Sequence, residues 1–299
     1  MATSLLPTLY ISHGSPMLAL DPGPTGAALD ALGARLRQTP PRAIVVISAH
    51  WSYSTLAVTT RTRQEAWHDF GGFAPQLFAL RYDAPGAPAV AQRVRALLAE
   101  AAIEGASYVA EDPDRPLDHG AWMPLRYLFP DADVPVLQLA LNPCLPPATQ
   151  IEIGRALAPL RGEGVLIIGS GSFTHNLHEV FSGTRAQHGP APLPYVEAFR
   201  TWMLNAIDEA LASGDFGTLA RYRTLAPEAQ RAHPTDEHLL PLYVALGAAV
   251  GPQVGAMPEG AGKGAPLTCE RIIDEVTYGV LAMDTLVFHG GMPALAQAA

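Results

Sequence analysis

Ten histidines stand in this 299-residue chain, and several fall just beyond short apolar runs. His13 follows Thr8 to Ser12, His50 comes one residue after Ala43 to Ser48 (AIVVIS), and His175 lies a short Gly/Ser turn beyond Val165 to Gly169 (VLIIG). If those runs are parallel strands of one sheet, their carboxyl ends share an edge, and the loops leaving that edge build a crevice. Three imidazoles would meet there. Imidazole suits borderline divalent metals, and strand ends are rigid enough to hold rings at the roughly 2.0–2.1 Å of a metal bond. A fourth, His238, opens the helix expected over Asp236 to Ala249 and could complete the set. Singly, each could be an ordinary half-buried histidine bonded to backbone; repetition at strand ends is what points to a metal centre.

The remaining candidates rank by context. His119 sits in D-H-G on a loop expected before a helix from Trp122 to Phe129, with Asp118 beside it. Such a histidine can carry a proton or hold a substrate, and it can equally cap a loop. His68 belongs to the Gly-rich aromatic run H-D-F-G-G-F (His68 to Phe73), which could line a pocket for a flat ligand or pack as a surface loop. Trp51 and Trp122, close in sequence to His50 and His119, offer flat apolar faces or plain core. His178, one turn beyond His175, reads as structural, and His188, His233 and His289 as solvent-exposed. The turn Gly169 to Ser172 has neither G-x-x-x-x-G-K-[ST] nor G-x-G-x-x-G around it, so nucleotide binding is disfavoured. No G-x-S-x-G elbow surrounds Ser15 or Ser172, which disfavours a serine hydrolase.

The elements needed to position these side chains alternate in the manner of βαβ units. Helices are expected over Thr25 to Gln38, Pro88 to Ala102 and Thr149 to Leu160, and further strands at Leu56 to Thr60 and Val134 to Leu141. AIVVIS is apolar at every position but its last, as a strand covered on both faces must be. Helices dominate from Tyr195 to Gly247, Leu239 to Pro258 reads as a buried helix running into a loop, and Thr277 to Phe288 as a last strand. The fold class is therefore α/β: a single domain over residues 1–299, a central and mostly parallel sheet flanked by helices, the active site at the carboxyl ends of the strands, and a helical insertion at about 190–232. The tail from Gly290 to Ala299 is expected to be loosely held.

Composition narrows the partners. With 19 Lys plus Arg against 28 Asp plus Glu the net charge is -9, and no basic stripe suggests nucleic acid. The two cysteines, Cys144 and Cys269, form no CxxC pair, so neither a zinc ribbon nor a disulfide scaffold is expected. No run resembles a secretory signal or an uninterrupted membrane span, and the expected location is the cytoplasm.

Six runs occur in order: S-H-G-S-P-M (Ser12 to Met17), S-A-H-W (Ser48 to Trp51), H-D-F-G-G-F, D-H-G-A-W (Asp118 to Trp122), T-H-N-L (Thr174 to Leu177) and P-T-D-E-H-L-L-P-L (Pro234 to Leu242). Together they resemble the DOPA 4,5-dioxygenase family, one of the class III extradiol ring-cleavage dioxygenases of the LigB-like superfamily. The likeness runs from about Leu6 to Leu286 and is weakest from Phe181 to Ala232, which is longer than usual. It implies a non-haem Fe(II) enzyme that uses O2 to split a catechol ring beside its two hydroxyls. It places His13, His50 and His238 on the metal ligands, His175 on the residue that serves as acid/base or as a fourth ligand, and His119 on the histidine near the substrate. Most class III relatives have a Glu where this pattern has His238; an all-histidine set also suits Zn(II), which the purified protein could carry. A neutral His175 within reach of the catechol could take its second proton. Two other readings compete: a zinc-dependent hydrolase of small amides or esters, and a non-catalytic metal-binding protein on the same scaffold.

Overall fold

Alternation within the buried strands decides the architecture. In β2 (Ala43–Ser48) and β6 (Val165–Gly171), Val45, Ile47, Val165 and Ile167 face one apolar core while Ile44, Val46, Leu166 and Ile168 face another. β1 (Thr8–Ser12) does the same, with Tyr10 on the first side and Leu9 and Ile11 on the second. Strands apolar on both faces need helices on both faces. The first side is covered by helices Pro88–Ala101, Pro147–Leu157, Pro194–Ser213 and Leu240–Val250, the second by Gly23–Leu36 and His119–Leu128.

The computed structural model describes residues 5–182, 191–251 and 265–291. Its central sheet has six strands in the order β5-β2-β6-β1-β10-β7, where β5 is Val136–Gln138, β7 Ala265–Ile273 and β10 Thr285–Gly291. The pairs β5/β2, β2/β6 and β6/β1 are parallel, and β1/β10 and β10/β7 antiparallel, so the sheet is mixed and mostly parallel. Among the described residues no helix is long and apolar enough to cross a membrane.

Several boundaries differ from the sequence reading. Leu56 to Thr60 does not join the central sheet: β3 (Leu56–Thr59) pairs in parallel with β4 (Val109–Asp112), a strand whose VAED sequence carries no apolar run. The expected strand Val134 to Leu141 shortens to β5 because beyond Gln138 the chain turns to bond β3, Ala140 N–H donating to Ala57 O at 2.8 Å. Thr277 to Phe288 breaks into β8 (Val276–Thr277), β9 (Leu281–Ala282) and β10, with Tyr278 and Gly279 at φ of 56° and 67° making the turn. The helix expected over Thr149 to Leu160 starts at Pro147 and gives way to a short helix, Pro159–Gly162. Helix Leu240–Val250 is buried as expected, while the loop after it, the tail beyond Gly291 and His188 lie outside the described residues.

That helix is set deep by glycines. A Cβ on Gly154 would lie 2.1 Å from Val244 O, and one on Gly247 2.0 Å from Ile151 O, so the two helix backbones touch where they cross. Its carboxyl end is held by Arg161, which is buried and donates to the carbonyls of Leu6 (2.7 Å), Ala248 (3.1 Å), Ala249 (2.8 Å) and Gly290 (2.7 Å). A cation is favourable at a helix carboxyl end, where carbonyls lack intrahelical partners.

Candidate active site

The carboxyl edge of the parallel strands gathers five histidines, each positioned differently. His13 extends β1, its N–H donating to Gly171 O at 2.9 Å. Its Nδ1 lies 3.0 Å from Ser170 Oγ; that hydroxyl donates to Gly120 O, so it accepts from Nδ1–H and leaves the His13 Nε2 as the ring's acceptor. His50 lies two residues past β2, and its Nε2 is 3.0 Å from His13 Nε2. His119 is the first residue of helix His119–Leu128 rather than part of a preceding loop, because Asp118 caps the helix by accepting from Ala121 N–H. The His119 Nδ1 and main-chain N–H both donate to Asp69 Oδ1, at 2.8 and 3.0 Å.

His238 precedes helix Leu240–Val250 by two residues, and its carbonyl accepts from Ser172 N–H (2.9 Å) and Tyr10 Oη–H (3.0 Å). A Cβ at Gly171 would come within 2.0 Å of that carbonyl, so only glycine allows the approach. Its Nδ1 is 3.0 Å from Glu237 Oε1, and its Nε2 is buried without a partner. His175, four residues past β6, stacks on His238 with ring centroids 3.5 Å apart and planes within 9°.

Burial keeps four of these rings neutral: His13, His50, His175 and His238. Burial, then the neighbouring His50, push His13 well below the ordinary histidine range; burial, then His175, do the same to His238. His50 falls to about 4 through burial and the adjacent His119, against the pull of Asp118 and Asp69, and burial takes His175 to about 4 as well. Burial opposes ionisation of Asp69, but its bonds to His119 outweigh that and hold the carboxyl below its usual value. Neutral imidazole is the ligating form, and an Nδ1 bonded to hydroxyl or carboxylate is the usual way a protein aims Nε2 at a metal.

The residues present fit a divalent ion. One nitrogen each from His13, His50 and His119 lie within 4.8 Å of one another, and the same holds for one donor each from His175, Glu237 and His238. The His238 ring is 5.5 Å from that of His13 and 5.1 Å from that of His50, so the two groups adjoin. Above them opens a cavity of ≈ 290 Å³ floored by the five histidines and walled by Phe70, Phe73, Leu177, Val180, Phe181 and Leu281.

Residues 7–259 match the family model described as the catalytic LigB subunit of aromatic ring-opening dioxygenase. The chain belongs to the LigB family. As a LigB-family protein it is a class III extradiol aromatic ring-opening dioxygenase, acting on an aromatic substrate and O2. It is 40% identical over 243 residues (81% of this chain, 86% of the relative) to a 4,5-DOPA dioxygenase extradiol of Beta vulgaris. A protein of the same name from Escherichia coli K12 is 36% identical over 83% of this chain and 87% of its own. The crystal structure of an uncharacterized Escherichia coli K12 protein superposes with a TM-score of 0.68 at 29% identity, covering 94% of this chain and 99% of that one.

Within this LigB-family site the five histidines singled out by sequence all converge, and others resolve. Phe70 and Phe73 line the cavity, whereas Trp51 and Trp122 are core. His68 packs among Phe70, Phe78 and Trp122, behind the wall. His233 is not exposed: it is fully buried, with Nε2 donating to Phe173 O at 3.0 Å. His178 is exposed, and His289 is half-exposed beside Glu270 at 3.1 Å. Sequence reasoning noted Asp118 beside His119 but passed over Asp69, Ser170 and Glu237. The first and last of these stand beside a candidate histidine inside quoted motifs, a signal that a search for imidazole partners would have caught.

Proposed function

We propose that this LigB-family protein cleaves catechols, using Fe(II) held by His13, His50 and His238, with His175 as acid/base and His119 at the substrate. The observation that carries the reading is the set of imidazoles with Nδ1 tied back at His13, His119 and His238, around a buried His238 Nε2 that no protein group satisfies. Bound there, the ion would supply a Lewis-acidic centre where both catechol oxygens and dioxygen can meet. The protein does the rest. His175, neutral and stacked on His238, can receive the second catechol proton at a ring nitrogen and return it later. His119 is held by the bond from its Nδ1 to Asp69, which fixes its ring at the cavity floor where it can hydrogen-bond the substrate. Phe70 and Phe73 meet edge to face, 5.5 Å apart, and offer apolar surface to a flat ring. Leu177, Val180 and Leu281 keep water from the reacting face. The names of the relatives support DOPA as the first member of a catechol panel. Oxygen uptake by protein loaded anaerobically with Fe(II), and the yellow semialdehyde from a catechol, are the expected results. Zn(II)-loaded protein should consume no oxygen. Hydrolysis of an ester or amide by the Zn(II) form, with no catechol turnover by the Fe(II) form, would overturn the reading.

A further inference from the structure

Two of the sequence runs around the site, and Trp67 just before a third, meet at a residue none of them contains. The Arg115 guanidinium lies between the rings of Trp51, at 4.7 Å, and Trp67, at 5.1 Å, and its side chain is only 15% exposed. Its NH2 donates to His50 O at 3.0 Å and to Asp118 Oδ2 at 3.3 Å. Asp118 is fully buried; its Oδ1 accepts from Ser48 Oγ (2.6 Å) and Ala121 N–H (3.2 Å), and its Oδ2 from Gln138 Nε2 (2.7 Å). That carboxylate starts the helix whose first residue is His119, while Ser48 ends β2 two residues before His50.

We propose that Arg115 is a positioning residue for the metal centre, fixing His50 through its main-chain carbonyl and His119 through Asp118. It does not line the cavity, so it acts only through these neighbours. Two aromatic faces restrict the guanidinium to one plane, and its fork bonds two chain segments at once; an ammonium has neither the plane nor the fork. Trp67 brings in a third segment, since its carbonyl accepts from Trp122 Nε1 at 2.9 Å and it lies two residues before Asp69, the partner of His119. Arg115 is also the cation beside Asp118, so without it that carboxylate would be buried with neutral partners only. A shift of either loop moves an imidazole donor. Metal sites respond strongly to such shifts, losing 10–100-fold in affinity when an outer partner is removed.

The inference rests on the metal-centre reading, and Co(II) tests the two separately. Wild-type protein titrated with Co(II) should bind one ion with visible absorption bands, and His50→Ala should not; failure of either result overturns both the metal centre and this inference. With those in hand, Arg115→Gln should bind Co(II) 10–100-fold more weakly with altered bands. Arg115→Lys, which keeps the charge, should recover part of the affinity and not the wild-type spectrum. A merely structural arginine would lower the melting temperature and leave both readouts alone. Wild-type Co(II) affinity and spectrum in Arg115→Gln overturn the proposal, and if that variant does not fold, the same result in Arg115→Lys does.

Discussion

The two edges of the central sheet bury polar groups in opposite ways. At the amino edge Arg161, almost fully buried, donates to four carbonyls from three parts of the chain. Burial lowers its pKa to about 10, so it remains charged at neutral pH. At the carboxyl edge burial keeps His13, His50, His175 and His238 neutral, and the His238 Nε2 faces no partner at all. One helix, Leu240–Val250, joins the edges: Arg161 holds its last carbonyls, and His238 stands two residues before its start. Where every donor is satisfied, the group is there to hold the fold. Where a buried nitrogen is left unpartnered in an apolar-walled cavity, the fold is holding a site ready for a ligand.

Breaking each edge in turn should therefore give opposite results. His13→Ala should abolish metal binding and lower kcat/KM by at least about 10³-fold, on the order of 4 kcal/mol, with the melting temperature little changed. Metal analysis and calorimetry check both halves. Arg161→Met should do the reverse: it strands buried carbonyls and costs on the order of 3–5 kcal/mol of stability, read by denaturant unfolding, while folded protein keeps its metal and kcat. Equal loss of metal in the two variants would erase the distinction between the edges.

That distinction was half legible in the sequence. His13, His50 and His175 could be placed because TLYIS, AIVVIS and VLIIG read as strands and the imidazoles follow them closely or across a short Gly/Ser turn. Arg161 could not, since P-L-R-G-E-G reads as a surface turn until the fold brings Leu6, Ala248 and Gly290 around it. β7 and β4 were missed for a related reason: A-P-L-T-C-E-R-I-I is an edge strand and VAED a peripheral one, and neither carries the apolar pattern of a covered strand. His233 was misplaced because a lone histidine carries no signal of burial; its surroundings, Phe199 and Tyr222, come from other helices.

His233 sharpens the comparison, as a buried neutral imidazole that takes no part in the cluster. Burial lowers its pKa from 6.5 to about 3. Below pH 6.5 the unfolded chain takes up a proton at this ring that the folded chain refuses until about pH 3, so the stability it contributes is full above 6.5 and drains as the pH falls toward 3. Between pH 6.5 and 4.5 wild type should lose up to roughly 2 kcal/mol more than His233→Gln, measured by urea unfolding at each pH. Parallel pH profiles for the two proteins would contradict it.

The smallest effect expected is at the wall. Phe73→Ala removes one of two aromatic faces while leaving every imidazole in place, and should raise KM for a catechol by about three- to tenfold, the worth of one ring contact, at unchanged kcat. An unchanged KM with a lowered melting temperature would make Phe73 core rather than wall.

The account stands or falls on what happens to dioxygen at the open edge. Fe(II)-loaded protein turning over a catechol under ¹⁸O₂ should release a ring-opened product, cleaved beside the hydroxyls, with both labelled atoms in it when product is trapped before exchange with water. A product carrying no label, or a ring cut between its hydroxyls, would contradict the account.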